Sequence, residues 1–386
     1  MSIAPLVNRL LGRLGVGRKL MLIYLLDLTA VIYVSGILIN EKFIAIDFAR
    51  KEVQGSAYIA ALREPLLAAA RLDSGDVDQR TALPPLVAGV TQAQSEHGAG
   101  MDSQRLAREL EQTLLRLAAA PGPTAGDALV AAALQQGRDL LTRVGNQSNL
   151  ILDPDLDSYY TMSLIVLRYP ELLDVVHGMG RLLQQSAQPG GGADLAQRTR
   201  YLVAEGRLGA VAQSIVSDHA EAYAAGGTTL AAALRPHEAA LAQRIDAFRQ
   251  AARSAVDTAD GRAHGAAVVA QRLLLGDLRA AWAGAGLQLD GLLATRIHGL
   301  YVRMAMHLGT ALALLLVILT VVTVVARSIA RPLRHLAGVA DDVRRTGDHT
   351  LRASWEGSDE IGRLVAVFNG MRSEEHTSEL QSPLNI

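Results

Sequence analysis

The 386-residue sequence contains no cysteine, which excludes a disulfide framework, thiolate metal ligands and a cysteine nucleophile. Aromatic residues make up only 4% of it, too few for the aromatic and β-branched strands of an all-β sandwich or barrel. An excess of one charge is missing as well. The 37 Lys and Arg face 38 Asp and Glu, so no global attraction to nucleic acid exists, and none is expected as a partner. Signatures of catalysis are equally absent. The sequence has no GxSxG elbow, no Walker A loop and no GxGxxG turn, and its ten histidines lack the HExxH spacing of a zinc site. No catalytic residue, no metal ligand and no cofactor is assigned.

Apolar side chains are abundant, at 50% of the chain, and they concentrate in two runs. Leu20–Ile39 and Leu308–Ala326 are each long enough to cross a hydrocarbon core of about 30 Å at 1.5 Å per residue. The first is too long for the apolar core of a signal peptide, and no small-residue cleavage site follows it. Asp27 is its single charge, and a place within about two turns of the inner end, or one facing a partner helix and pairing with Thr29 or a tyrosine hydroxyl, accounts for it more simply than a function. Arg9, Arg13, Arg18 and Lys19 precede the first run, and Arg327, Arg331 and Arg334 follow the second. Basic flanks stay in the cytoplasm. Residues 1–19 are therefore expected inside, and residues 40–307 outside, in the periplasm of a cell with two membranes.

The outer region is rich in Ala, Leu, Arg, Gln and Glu, with apolar residues recurring every three or four positions and no sustained alternation. That pattern predicts an all-α fold. Breaks are expected at Asp73–Asp78, Gly98–Gly100, Pro121–Thr124, Pro189–Gly192, Gly226-Gly227 and Asp260-Gly261. The length is nearly twice that of one four-helix bundle, so two stacked bundles or one unusually long one are expected. Helix is expected to continue from both membrane runs into this region, over Glu41–Leu72 and His264–Arg303.

Its most distinctive stretch is NQSNLILDPDLDSYYTM, Asn146 to Met162. Asp153, Asp155 and Asp157 alternate like the first ligands of a calcium loop, but Ser158 stands where glycine is needed and Leu164 where the closing glutamate belongs. Asp153-Pro154 reads instead as a helix N-cap followed by proline at the first helical position. A small-ligand site could be built here. Asn149 closes one helix, while Asp157, Tyr159 and Tyr160 open the next, and Arg168 supplies a partner for a carboxylate. Arg63 and Arg71 are weaker candidates for clamping an anion.

After the second run, Ile329, Leu333, Leu336, Ala340 and Val343 are spaced 4, 3, 4, 3, a coiled-coil seam. A connector containing Gly347-Asp348 leads to Asp359-Glu360-Ile361-Gly362, which opens a second seam of Ile361, Leu364, Phe368 and Met371. Two such helices close a parallel four-helix coiled coil only when two chains meet. This segment, Arg327–Met371, resembles the HAMP domain of bacterial transmembrane receptors, whose usual marks are matched by Pro332, Gly347, Asp359, Glu360 and Gly362. It departs at His349, where the family's connector usually has an apolar residue.

The order of elements resembles that of sensor histidine kinases and methyl-accepting chemotaxis receptors, with diguanylate cyclases a third output type. The resemblance implies a homodimer in the inner membrane, a lipid partner and a small molecule sensed in the periplasm. It also implies signal relay to a response regulator or a chemotaxis kinase through an output module beyond HAMP. Residues 372–386, beginning RSEEHTSELQS, resemble the translation of a sequencing adapter. His376 there mimics a phosphoacceptor box but is separated from its Glu-Leu by two extra residues, and is not assigned as a site.

Overall fold

The computed structural model describes residues 16–73, 79–120, 123–186, 195–258, 260–348, 350–355, 357 and 359–380. Arg9, Arg13, His349, residues 74–78, 121–122 and 187–194, and the last six residues of the tail lie outside them. All regular structure among the described residues is helical: α1 (Val16–Asp73), α2 (Gln79–His97), α3 (Gln104–Ala119), α4 (Pro123–Gln147), α5 (Leu156–Ser163), α6 (Tyr169–Ser186), α7 (Leu195–Thr258), α8 (Gly261–Thr346) and α9 (Glu360–Leu380). A 3₁₀ turn, Leu150–Leu152, precedes α5, and a π turn, Leu164–Arg168, joins α5 to α6. The chain divides into two compact units, Phe43–Tyr301 and Met1–Lys42 with Val302–Ile386.

The first unit is a helical bundle. Its helices form because good helix formers repeat their apolar positions at helical spacing; α3, for example, buries Ala107, Leu110, Leu114 and Leu117. Among the described residues, the bundle helices are interrupted at Gly98–Ser103, at Ser148–Asp155 and at Asp260. Gly227, at φ 68° and ψ −161°, takes a conformation that only glycine adopts readily, and folds α7 into two limbs. The limbs are held by Arg253 to Glu205 at 2.6 Å and Arg198 to Asp257 at 3.2 Å.

Helices α2 to α4 pack in sequence and α6 packs on α7; side-chain contacts join α1 to the first group and α8 to the second. In the first, Tyr58 of α1 donates to Gln94 of α2 at 2.6 Å, and Leu66 packs against Gly137 of α4. In the second, Arg244 of α7 pairs with Asp277 of α8 at 2.8 Å. The groups lie side by side, joined by Arg138 to Asp174 between α4 and α6 and by Glu64 to Arg279 between α1 and α8. One continuous core serves both, with Trp282, Tyr58, Tyr169 and Phe248 fully buried. The extra length of the outer region thus widens the bundle rather than stacking a second one above the first.

In the second unit, both α1 and α8 contain a stretch long and apolar enough to cross a membrane, and neither stretch is buried within the protein. Met21, Leu26, Ile32 and Tyr33 on α1 and Leu312, Leu314, Val317 and Val324 on α8 are all more than half exposed. Such a surface suits lipid, not water. Asp27 is exposed on this surface, and the neighbouring Thr29 hydroxyl donates to the Leu25 carbonyl at 2.7 Å, so it is not the partner of Asp27.

Candidate functional site in the bundle and the relay module

The stretch singled out by sequence is wrapped around an arginine far away in the chain. Arg296 of α8 lies 2.9 Å from Glu52 of α1 and 2.7 Å from Asp155, and also contacts Asp153 and the Ser158 hydroxyl. The side chains of Glu52 and Asp153 are fully buried, that of Arg296 is 12% exposed, and Asp155 reaches solvent. One arginine therefore balances two carboxylates taken wholly out of water. Glu52 Oε1 and Asp153 Oδ2 have no hydrogen-bond partner at all.

Such an arrangement has a direct electrostatic result. Burial, aided by the repulsion of Asp153 and opposed by Arg296, pushes the Glu52 carboxyl up to about 7. Arg296 is itself buried, which works against its charge, but the hydrogen bond and charge of Asp153 prevail and hold it more firmly protonated than usual.

This junction corrects the reading of Asp153-Pro154 as cap and first helical residue. Helix α5 starts at Leu156, with Asp155 at the N-cap position and Pro154 outside. The Asp153 carboxylate is committed to Arg296 and accepts the Asp155 N–H at 2.9 Å, an Asx-type turn that postpones the helix by two residues.

Asn149 sits in the left-handed region at φ 68°, just past the end of α4, and its carbonyl accepts the Leu152 N–H at 2.8 Å. Asp157 is half-buried, accepts the Ser158 N–H at 2.7 Å, and lies against Gly226 at the apex of α7. Tyr159 and Tyr160 are half-buried and meet edge to face at 5.2 Å. Arg168 faces elsewhere. It pairs at 2.8 Å with Asp218 of α7, which also accepts the Ser163 hydroxyl at 2.7 Å. The structure thus brings Asn149, Asp157, Tyr159 and Tyr160 into one segment and assigns Arg168 to an internal ion pair. Arg63 is paired with Glu64 at 3.1 Å.

Sequence reasoning missed Glu52, Ser158 and Arg296. A signal existed for Arg296, the lone Lys or Arg between Arg279 and Arg303. Among the described residues, no group of His, Asp or Glu is placed to hold a metal ion.

The relay residues lie in the second unit. Pro332 is buried and helical within α8. Gly347 ends α8 at φ 68°, its N–H bonded to the Val343 carbonyl at 2.9 Å, a left-handed stop that favours glycine. Asp359 caps α9 by accepting the Gly362 N–H at 2.9 Å, and Glu360 in the first turn complements the helix dipole. A Cβ on Gly362 would meet the Gly357 carbonyl oxygen at 1.7 Å, so the connector approaches α9 too closely for any side chain.

Asn369, which sequence reasoning passed over, clamps that connector from α9. It donates to the Ala353 carbonyl at 2.8 Å and accepts the Ala353 N–H at 3.1 Å. Leu364 and Met371 of the second seam are 48% and 59% exposed, an apolar edge left without a partner in one chain.

An all-α fold with two membrane-competent helices and a two-helix relay module after the second defines a membrane receptor type. The HAMP domain family model matches residues 324–377, three residues earlier and six later than the seam and capping motifs had bounded it. The chain carries a HAMP domain, a hallmark of bacterial transmembrane sensory receptors, and its general role is signal transduction. Receptors with this domain typically dimerise and sit in membranes. No curated protein and no solved structure matches the chain.

Proposed function

We propose that the chain senses a small molecule in the periplasm and passes the signal across the inner membrane to a cytoplasmic output module. In this reading residues 20–39 and 308–326 span the bilayer, 40–307 form the sensor and 327–371 the relay, in a homodimer. The observation that carries it is the order of parts: a HAMP match that begins at residue 324, on the end of the second apolar run, with a helical bundle between the two runs. Basic residues on the inner flank of each run support the orientation. Ligand binding would bias a two-state bundle, and HAMP would carry that bias inward. Protease added to intact spheroplasts should cut between residues 40 and 307 and spare Arg327 onward. Cleavage on the same side for both would end the reading.

The output we favour is a histidine kinase acting on a response regulator, since receptors of that kind are numerous. The gene downstream of Met371 decides it. A phosphoacceptor box with an ATP-binding motif supports the kinase, a long Ala/Glu/Gln heptad run would make the chain a chemotaxis receptor, and a cyclase domain would replace both.

The ligand site we favour is the junction of Asn149, Asp157, Tyr159 and Tyr160. Arg168 is occupied by Asp218, and the carboxylates nearby favour a ligand that carries an amine, such as an amino acid. Screening amino acids and amines against the solubilised chain by thermal shift should find one that raises the melting temperature. Tyr160→Ala with Asp157→Ala should remove that shift and leave the unliganded melting temperature unchanged. Lower free stability with an intact ligand shift would place the site elsewhere.

A further inference from the structure

Helices α1 and α8, each with a membrane-competent stretch, are tied together within the bundle by a ladder of polar contacts. Arg50 donates to the Tyr301 hydroxyl at 2.6 Å, Ser56 donates to Asp290 at 2.7 Å, and Arg279 pairs with Glu64 at 2.8 Å. Each of these rungs has an exposed member in Arg50, Asp290 or Arg279. The rung between Glu52 and Arg296 is different. It is withdrawn from water, and Asp153 of the junction shares its guanidinium. It stands thirteen residues past Ile39 on α1 and twelve before Leu308 on α8, with unbroken helix in between on both.

The charges in that rung do not balance. Two fully buried carboxylates meet one guanidinium, and Asp155 adds a third negative charge from the solvent side. Were both ionised, Glu52 Oε1 and Asp153 Oδ2 would be buried anionic oxygens without a donor, which is costly. A metal ion is not the remedy, since no group of acids among the described residues is placed to hold one. One proton restores parity, leaving one buried carboxylate for one arginine.

The groups facing Glu52 decide which carboxyl takes it. Arg296 comes from α8, Asp153 and Asp155 come from the junction, and Ser148 at the end of α4, close to Gly55, does not titrate. Asp153 also accepts the Asp155 N–H, which favours its charged form. The proton therefore falls to Glu52, whose carboxyl is pushed up to about 7, chiefly by burial. His219, buried in the second group and bonded through Nδ1 to the Ile215 carbonyl at 2.9 Å, is held low by burial and stays neutral over the same range.

We propose that the cluster of Glu52, Asp153 and Arg296 is a proton-binding site through which the sensor responds to acidity outside the membrane. Protonated, it clamps the junction to α1 and α8; deprotonated, it releases Asp153–Ser158. The proposal rests on the receptor reading above and adds the proton as a second signal beside the small molecule. Release acts on the segment that carries Asp157, Tyr159 and Tyr160, so the two signals are coupled.

The test follows hydrogen exchange of residues 149–160 in the full chain in detergent, at pH 6 and pH 8, with labelling times scaled for the intrinsic rate. It reads the cluster whatever the membrane orientation, so it can fail while the spheroplast result stands, and the reverse. Protection in the unaltered chain should fall roughly ten-fold, the linkage expected for a carboxyl at about 7 when closed and 4.5 when open. Glu52→Gln, permanently neutral, should keep its protection at both pH values. Glu64→Gln, at a rung open to water, should still show the fall. An infrared band from a protonated carboxylic acid should be present at pH 6, weaken by pH 8 and be missing from Glu52→Gln. An equal fall in Glu52→Gln would overturn the proposal, as would flat protection in the unaltered chain. A band that titrates without a change in protection would leave a bound proton that opens nothing, and the sensing role would be lost.

Discussion

The two units of this chain solve opposite problems with the same helix. From Phe43 to Tyr301 the helices bury their large apolar residues against one another, and Trp282, Tyr58 and Phe248 are almost wholly removed from water. From Val302 onward, and before Phe43, the large apolar residues face outward, and the HAMP seam keeps Leu364 and Met371 about half exposed. The bundle encloses its core within one chain. The other unit presents apolar surface that suits lipid, and a seam of the kind that HAMP-containing receptors typically close by dimerising.

The contrast can be broken most severely at Arg296. Replacing it with methionine leaves Glu52 and Asp153 buried with no counter-charge, an uncompensated burial worth about 3–5 kcal/mol. Calorimetry should show the bundle melting at a much lower temperature. The loss should be smaller at pH 5 than at pH 8, because the carboxylates can then take up protons.

The next effect is a pH dependence confined to the bundle. In the folded chain Glu52 keeps its proton up to a pH of about 7, while in the unfolded chain it loses it near 4.5. The folded state therefore holds more protons between those values. Stability is fully present below pH 4.5, falls as pH rises to 7 and is flat above, by about 3 kcal/mol in all. Glu52→Gln should flatten that part of the profile and raise the melting temperature at pH 8. Equal slopes in the two proteins would show that Glu52 titrates normally.

Two smaller changes act on the relay alone. Gly362→Ala forces the Gly357 carbonyl away and should cost about 1–3 kcal/mol, seen as faster trypsin cleavage of the connector at Arg352 with the bundle's melting unchanged. Asn369→Ala removes two hydrogen bonds to Ala353, worth about 1–2 kcal/mol, and should make the connector around Arg352 more open to trypsin. If either variant lowered the bundle's melting temperature, the two units would not be independent.

The helices were legible because their signals are local. Breakers such as Gly226-Gly227 and Asp260-Gly261 sit where the structure turns, and Asp359 caps a helix as its neighbours imply. The HAMP motifs were legible because Gly347 and Gly362 are demanded by backbone conformation and close approach, which allow few substitutes. The junction at Arg296 was not legible. Its partners stand 143 and 244 positions away, and nothing in the spacing of Asp153 and Asp155 tells which distant arginine they hold. The start of α5 moved for the same reason, since a long-range ion pair took the carboxylate that local rules had assigned to a cap.

The π turn at Leu164–Arg168 has a consequence for how this core helix can change over generations. A π turn is an α-helix with one residue inserted, held as a bulge while the helix on either side keeps its phase. Loss of a single codon elsewhere in α6 would swing every following side chain by about 100° and turn Val176 and Met179 off the core. Loss of the codon for exposed Leu167 would instead close the bulge and leave both faces where they are. The wide turn is the one place where this helix carries a residue to spare.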